Sequence, residues 1–204
     1  CWRTDKPILY YPIDSWFIKA SSISEKMVDL NKKINWKPKS TGEGRFEKWL
    51  ENVNDWNLSR SRFWGIPLPI WRTEDGTEEI CIGSMEELIH AIQNSVQAGF
   101  MQNNIFSDFK VNDFSEENYK KIDLHKNVVD TIVLVSKSGR KMFREPDLID
   151  VWFDSGSMPY AQWHYPFENK DYIDNNNFFP ADFIAEGVDP VSYTHLRAHE
   201  TINH

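Results

Sequence analysis

Two short apolar segments, each followed by acidic and glycine residues, constrain the fold of this chain most strongly. The first covers residues 149–153 and is followed by Asp-Ser-Gly-Ser at 154–157. The second covers residues 182–185 and is followed by Glu-Gly-Val-Asp at 186–189. This pattern is typical of buried strands in an open α/β sheet, where ligands bind beyond the carboxyl ends of the strands. We therefore predict an α/β fold with a polar ligand site beyond these two strands.

Apolar residues at helical spacing predict three helices. The first spans residues 23–34, the second carries its apolar positions between 46 and 53, and the third carries them between 88 and 96. The first and third follow a capping box, in which a serine precedes a glutamate by three positions. These boxes pair Ser22 with Glu25 and Ser84 with Glu87.

Residues 72–145 are more polar and less aromatic than the rest of the chain. Besides the third helix, this segment contains two short stretches that indicate strands, at 131–135 and 140–144, separated by Ser138 and Gly139. A glycine-containing turn between such stretches predicts a hairpin. We therefore predict that residues 72–145 form a small α+β insertion.

Composition narrows the class of protein. Hydrophobic residues make up 40% of the chain and charged residues 26%, which indicates a globular protein. The net charge of −8 argues against a basic nucleic-acid-binding module. Only two cysteines are present, Cys1 and Cys81, which favours a reducing compartment such as the cytoplasm. No apolar run approaches the ~20 residues that span a bilayer, so no membrane partner is predicted.

Five segments together carry a resemblance to a known family. They read C-W-R at 1–3 with S-W-F at 15–17, W-N-L-S-R-S-R-F-W-G-I-P at 56–67, D-V-W-F-D-S-G-S at 150–157, M-P-Y-A-Q at 158–162 with H-Y-P-F-E-N at 164–169, and F-P-A-D-F-I-A-E-G-V-D at 179–189. In this order they resemble the class I aminoacyl-tRNA synthetases. The fourth segment is more similar to the isoleucine enzymes than to their valine and leucine relatives.

The resemblance implies part of a Rossmann-type catalytic domain, interrupted by the small insertion. It implies a parent enzyme that activates isoleucine with ATP and Mg²⁺ and transfers it to tRNA(Ile), acting as a monomer. Zinc could belong to the full-length protein, although no zinc motif stands in this sequence. Four segments are expected: 1–71, which leaves an editing insertion and re-enters the catalytic domain; 72–145, the insertion; 146–189, catalytic strands; and 190–204, a non-native tail.

Three residues are candidates for binding the amino acid and its adenylate. By resemblance, Glu186 accepts hydrogen bonds from the substrate ammonium group, Asp189 orients the substrate or ribose, and Trp152 lines the side-chain pocket. A charge-assisted hydrogen bond is about twice as strong as a neutral one, which suits a carboxylate to this task. The alternatives are that both acidic residues merely open a turn and that Trp152 is an ordinary core residue.

Ser59, Arg60 and Arg62 are candidates for contacting phosphates or the acceptor end of tRNA. The planar, permanently charged guanidinium group of arginine suits phosphate recognition. The alternative is that these arginines are solvated or form salt bridges on a strand, and the sequence leaves both open.

The family's H-I-G-H and K-M-S-K-S motifs, which handle ATP, are absent from this sequence. We therefore expect an internal piece of a longer enzyme that contains no catalytic residue and is inactive by itself. The segment after Asp189 departs from the family and is expected to be foreign. Its His195, His199 and His204 with Glu200 do not have H-E-x-x-H spacing, so no metal site is predicted.

Three other hypotheses stay open at this point. The parent could be the valine or leucine enzyme, or the chain could be a non-catalytic, synthetase-like binding module. The isolated chain could also fold incompletely, because an open sheet that lacks strands exposes its edges.

Overall fold

The computed structural model describes residues 5–9 and 11–183. Within them the chain divides into two compact units, between Leu58 and Ser59. Glu186, Asp189 and the predicted tail at 190–204 lie outside the described residues. Among the helices described, none is long and apolar enough to cross a membrane.

The first unit contains two helices and a short strand pair. Helix α1 (Ser24–Asn31) follows a 3₁₀ turn at Ala20–Ile23, and helix α2 (Glu47–Glu51) continues a π-helical turn at Thr41–Phe46. Strands β1 (Phe17–Ile18) and β2 (Trp56–Asn57) are antiparallel. The buried apolar side chains of this unit are those of Ala20, Leu50, Val53 and Trp56.

Both helices predicted for this unit are confirmed, although α1 ends at Asn31 rather than at residue 34. The first capping box is wrong. The hydroxyl of Ser22 donates to the carbonyl of Lys19 at 2.6 Å, and no side chain caps α1. The 3₁₀ turn places Ser22 inside helical backbone, where its side chain bonds to a preceding carbonyl instead of the helix end.

The second unit contains a four-stranded antiparallel sheet in the order β5–β4–β7–β6. The strands are β4 (Ile70–Thr73), β5 (Glu79–Cys81), β6 (Leu134–Val135) and β7 (Lys141–Arg144). Helix α3 (Met85–Gln97) contributes Leu88 and Ile92 to a core shared with this sheet. The other buried members of that core are Trp71, Ile82, Phe106, Val129, Ile132, Leu134 and Met142.

The predicted hairpin is confirmed, since β6 and β7 pair with Leu134 opposite Met142. The third predicted helix is also confirmed, and Ser84 caps it by accepting the Glu87 N–H at 3.1 Å. The Glu87 carboxylate accepts from the Gly83 N–H at 2.6 Å, one residue before its usual capping-box partner. Two short helices, α4 (Glu116–Tyr119) and α5 (Lys126–Val129), complete the segment between α3 and β6.

A separate two-stranded pair lies where the chain leaves for the four-stranded sheet and returns from it. Strand β3 (Ser59–Arg60) runs antiparallel to β8 (Leu148–Ile149), with Arg60 opposite Leu148. Gly65, with φ of +147°, lies beside this pair. A Cβ atom at Gly65 would lie 3.3 Å from Leu148 Cδ1, so both the backbone conformation and the close approach favour glycine.

The strand predicted for residues 149–153 is wrong. Only Leu148 and Ile149 are in a strand, and helix α6 (Val151–Ala161) begins two residues later, followed by α7 (Lys170–Asp174). Three consecutive apolar residues fit a strand and a helix equally well, so periodicity could not decide between them. For the strand predicted at residues 182–185, residues 182 and 183 are irregular and the remainder lies outside the described residues.

Candidate functional site

Two of the sequence motifs meet at the β3–β8 pair, although they are far apart along the chain. The Arg60 guanidinium forms an ion pair with the carboxylate of Asp150, which is 90 positions away. A second guanidinium nitrogen, Nη1, donates to the Ser59 carbonyl at 2.9 Å. The antiparallel register puts Arg60 opposite Leu148, so Asp150 lies two residues beyond its direct partner. This pairing joins the W-x-x-S-R segment to the D-V-W-F-D-S-G segment.

Asp150 is buried, with 3% of its surface exposed, and its carboxylate has two separate partners. One oxygen, Oδ2, faces Arg60, and the other, Oδ1, accepts from the backbone N–H of Trp152 at 3.2 Å. The second contact makes Asp150 the N-cap of α6. An N-cap carboxylate satisfies a helix N–H group and interacts favourably with the positive end of the helix dipole.

Trp152 lies in the first turn of α6 and is half-buried. Two residues later, burial raises the pKa of the Asp154 carboxyl, and the negative charge of Asp150 raises it further. Asp154 therefore holds its proton to a higher pH than an ordinary aspartate does. The start of α6 thus combines an aromatic side chain with two carboxyl groups, of which Asp150 is paired with Arg60 and Asp154 has a raised pKa.

The other two residues predicted to contact phosphate or tRNA differ in exposure. Ser59 is buried at 6%, and its backbone pairs with Ile149. Arg62 is exposed, and its backbone N–H donates to the Arg60 carbonyl at 3.0 Å. Ser59 and Arg60 are thus brought next to α6, whereas Arg62 lies on the surface just beyond the strand. A role for any of the three in phosphate or tRNA binding stays a prediction.

Asp150 belongs to the D-V-W-F-D-S-G motif, but the motif by itself indicates no role for it. The residue type could have indicated its role as a helix cap, because aspartate is a preferred N-cap residue and a helix could begin directly after it. No pattern in the neighbouring sequence predicts its ion pair with Arg60, since only strand pairing brings these two residues together.

Within residues 5–9 and 11–183, no group of three or more His, Cys, Asp or Glu side chains could hold a metal ion. The histidines of the predicted tail lie outside this part of the chain, so the structure does not bear on them.

Comparison with known proteins identifies the family. The family described as "tRNA synthetases class I (I, L, M and V)" matches residues 5–195. The chain belongs to this family. The resemblance predicted from the five motifs is therefore confirmed. The chain contains a class I tRNA synthetase domain with mixed helices and strands.

Individual relatives point to one branch of the class I synthetases. The chain is 68% identical over 191 residues to the isoleucine–tRNA ligase of Bacteroides thetaiotaomicron, covering 93% of the chain and 16% of that relative. Identity is 66% over 189 residues with the Porphyromonas gingivalis ligase, covering 93% of the chain and 17% of that relative. It is 46% over 190 residues with the Clostridium acetobutylicum ligase, at 93% and 16% coverage. The chain thus spans about one sixth of the length of these relatives.

Proposed function

We propose that this chain forms part of an isoleucine–tRNA ligase that activates isoleucine with ATP and transfers it to tRNA(Ile). The observation that carries this proposal is 68% identity to the Bacteroides thetaiotaomicron ligase across 93% of the chain. In this proposal the described second unit belongs to a Rossmann-type catalytic domain, with residues 72–145 as its small insertion. Residues 190–204 are a non-native tail.

The proposed substrate contacts are Trp152, Glu186 and Asp189. Glu186 binds the substrate ammonium group, Asp189 orients the amino acid or the ribose, and Trp152 lines the pocket for the isoleucine side chain. The half-buried position of Trp152 supports this role, because a pocket wall needs one face against the protein and another available to a ligand. The charge of a carboxylate matches that of the ammonium group.

Ser59, Arg60 and Arg62 stay candidates for phosphate or tRNA contacts, and the exposed Arg62 suits such a role best. ATP with Mg²⁺ is the proposed co-substrate of the whole enzyme. The motifs that handle ATP in this family are absent from the sequence, so this chain by itself is proposed to be inactive. The proposed enzyme is a cytoplasmic monomer.

A chimera tests this proposal. Residues 5–189 of this chain would replace the matching segment of the Bacteroides thetaiotaomicron ligase, and isoleucine-dependent ATP–pyrophosphate exchange and tRNA(Ile) aminoacylation would be measured. We expect both activities, with isoleucine preferred over valine and leucine. The unmodified ligase is the positive control, and the 204-residue chain is the control expected to be inactive.

A chimera that unfolds at the same temperature as the unmodified ligase but prefers valine or leucine would contradict the proposed specificity. A well-folded chimera that activates no amino acid would contradict the proposed function. Replacing Glu186 with Gln in an active chimera is expected to weaken isoleucine binding, because the amide carries no charge to pair with the ammonium group.

A further inference from the structure

The ion pair between Arg60 and Asp150 is the strongest feature to which the proposed function assigns no role. We propose that Arg60 is a positioning residue, which holds the Asp150 carboxylate and thereby sets the first turn of α6 and the orientation of Trp152. This inference rests on the proposed function, because it concerns how the isoleucine pocket is shaped. It also distinguishes Arg60 from its neighbour Arg62, which is exposed.

Strand pairing prearranges the contact. Ser59 lies opposite Ile149 and Arg60 lies opposite Leu148, so the backbone positions on both sides are defined. Diagonal neighbours two residues apart on paired strands lie within reach of long side chains. The Arg60 guanidinium uses this reach to contact Asp150, immediately after the end of β8.

Burial of Asp150 makes loss of the ion pair unfavourable. The Asp150 side chain is 4% exposed and the Arg60 side chain is 28% exposed. Removing a cation from a buried carboxylate is unfavourable, so loss of Arg60 favours either protonation of Asp150 or its movement towards water. Either change weakens the hydrogen bond from the Trp152 N–H, because that bond depends on the same carboxylate.

The geometry also disfavours Arg60 as a phosphate ligand. Its Nη2 atom faces the Asp150 carboxylate and its Nη1 atom donates to the Ser59 carbonyl at 2.9 Å. An incoming phosphate would have to compete with a buried carboxylate for Nη2. Arginine at such a site acts through its planar group and two separate donors, so lysine replaces it only in part.

The test uses the chimera described above, with the variants R60M, R60K, D150N and R60M/D150N. K137M is the control for the kinetics, and R62M is the control for hydrogen exchange. Steady-state ATP–pyrophosphate exchange would give kcat and the KM for isoleucine and for valine. Aminoacylation would give the KM for tRNA(Ile).

We expect R60M and D150N each to raise the KM for isoleucine by about 10- to 100-fold, the range that small misplacements of a site produce. The two changes remove the same interaction. The KM for isoleucine of the double variant should therefore be no higher than that of the more impaired single variant. R60K should show a smaller effect, discrimination against valine should fall in R60M, and K137M, at an exposed lysine of the insertion, should leave the KM for isoleucine unchanged. The KM for tRNA(Ile) should not change in R60M.

Amide hydrogen exchange of residues 151–154 gives a readout that needs no activity. Exchange should accelerate in R60M and D150N and stay unchanged in R62M. Unchanged exchange in R60M, or additive effects of R60M and D150N on the KM for isoleucine, would overturn the positioning role. A raised KM for tRNA(Ile) with normal isoleucine kinetics would overturn it in favour of a tRNA contact. Failure of the unmutated chimera to activate isoleucine would instead count against the proposed function, while the exchange experiment would still decide the role of Arg60.

Discussion

Arg144 and Asp130 form an ion pair of 2.5 Å although the Arg144 side chain is only 1% exposed. The same guanidinium donates through Nη1 to the Leu68 carbonyl at 3.2 Å and to the Asp147 carbonyl at 3.0 Å. Leu68 precedes the four-stranded sheet and Asp147 follows it. One buried side chain therefore holds the entering and the leaving segments of the chain together.

Arg144→Met should destabilise the protein substantially. Three carbonyl oxygens, those of Leu68, Pro146 and Asp147, lose a charged donor, and Asp130 loses its arginine partner. We therefore expect the free energy of unfolding to fall by about 2–4 kcal/mol. Urea denaturation of the chimera, compared with the unmutated chimera, would measure the loss. Lys141→Met on the same strand is the control, since Lys141 is exposed and should have little effect. Equal stability of the two variants would contradict the structural role of Arg144.

The interaction between Glu78 and Arg140 should be lost in acid, and the stability of the protein should fall with it. Hydrogen bonds from the Ser138 hydroxyl and then from Arg140 lower the pKa of Glu78 to about 2, from its ordinary value of 4.5. Because the folded pKa lies below the unfolded one, this stabilisation is complete above pH 4.5 and is lost as the pH falls towards 2. Urea midpoints measured between pH 6 and about pH 2 should fall across this window. Glu78→Gln should flatten part of that fall, and an identical pH profile in this variant would refute the assignment.

Gly42→Ala should be destabilising, whereas Gly44→Ala in the same π-helical turn should not. A Cβ atom at Gly42 would lie 2.0 Å from Trp36 Cδ1, while nothing lies within 4 Å of one at Gly44. Forcing the indole to move should cost about 1–3 kcal/mol. The Gly44 variant should be neutral or slightly stabilising, since alanine restricts the unfolded chain. Thermal unfolding of both variants provides the measurement, and similar midpoints would argue against the close packing of Trp36 on Gly42.

The two predicted capping boxes lead to different mutational expectations. Ser84→Ala removes the side-chain acceptor for the Glu87 N–H and should cost about 1 kcal/mol. Ser22 caps no helix, so Ser22→Ala should have the smaller effect. Denaturation of the two variants under identical conditions compares them, and a larger loss from Ser22→Ala would be the unexpected result.

Local patterns were sufficient for the elements whose interactions are close in sequence. The apolar spacing of Leu88 and Ile92 predicted α3, and its Ser84 cap lies only three residues from the N–H that it binds. The hairpin of β6 and β7 was predictable because its turn and its two strands are adjacent. The family was predictable from five motifs in order, and it needed no knowledge of how those motifs pack.

The start of α6 was not predictable in this way. The apolar run at 151–153 suits a strand, and Gly156 and Pro159 are poor helix residues, so local preference opposed the structure observed. Asp150 favours the helix by accepting the Trp152 N–H, and its burial is tolerated because Arg60 neutralises its charge.

The sequence alone therefore determined the family and the helices α1, α2 and α3, and it predicted the candidate residues Trp152, Arg60 and Arg62. Only the tertiary structure decided that Arg60 contacts Asp150 and that Trp152 stands on a helix. The physical reason is that a buried ion pair depends on strand register and exclusion of water, which are properties of residues far apart in the chain. Periodicity reports only which face of a segment is apolar, and it carries no information about which distant charge will meet it.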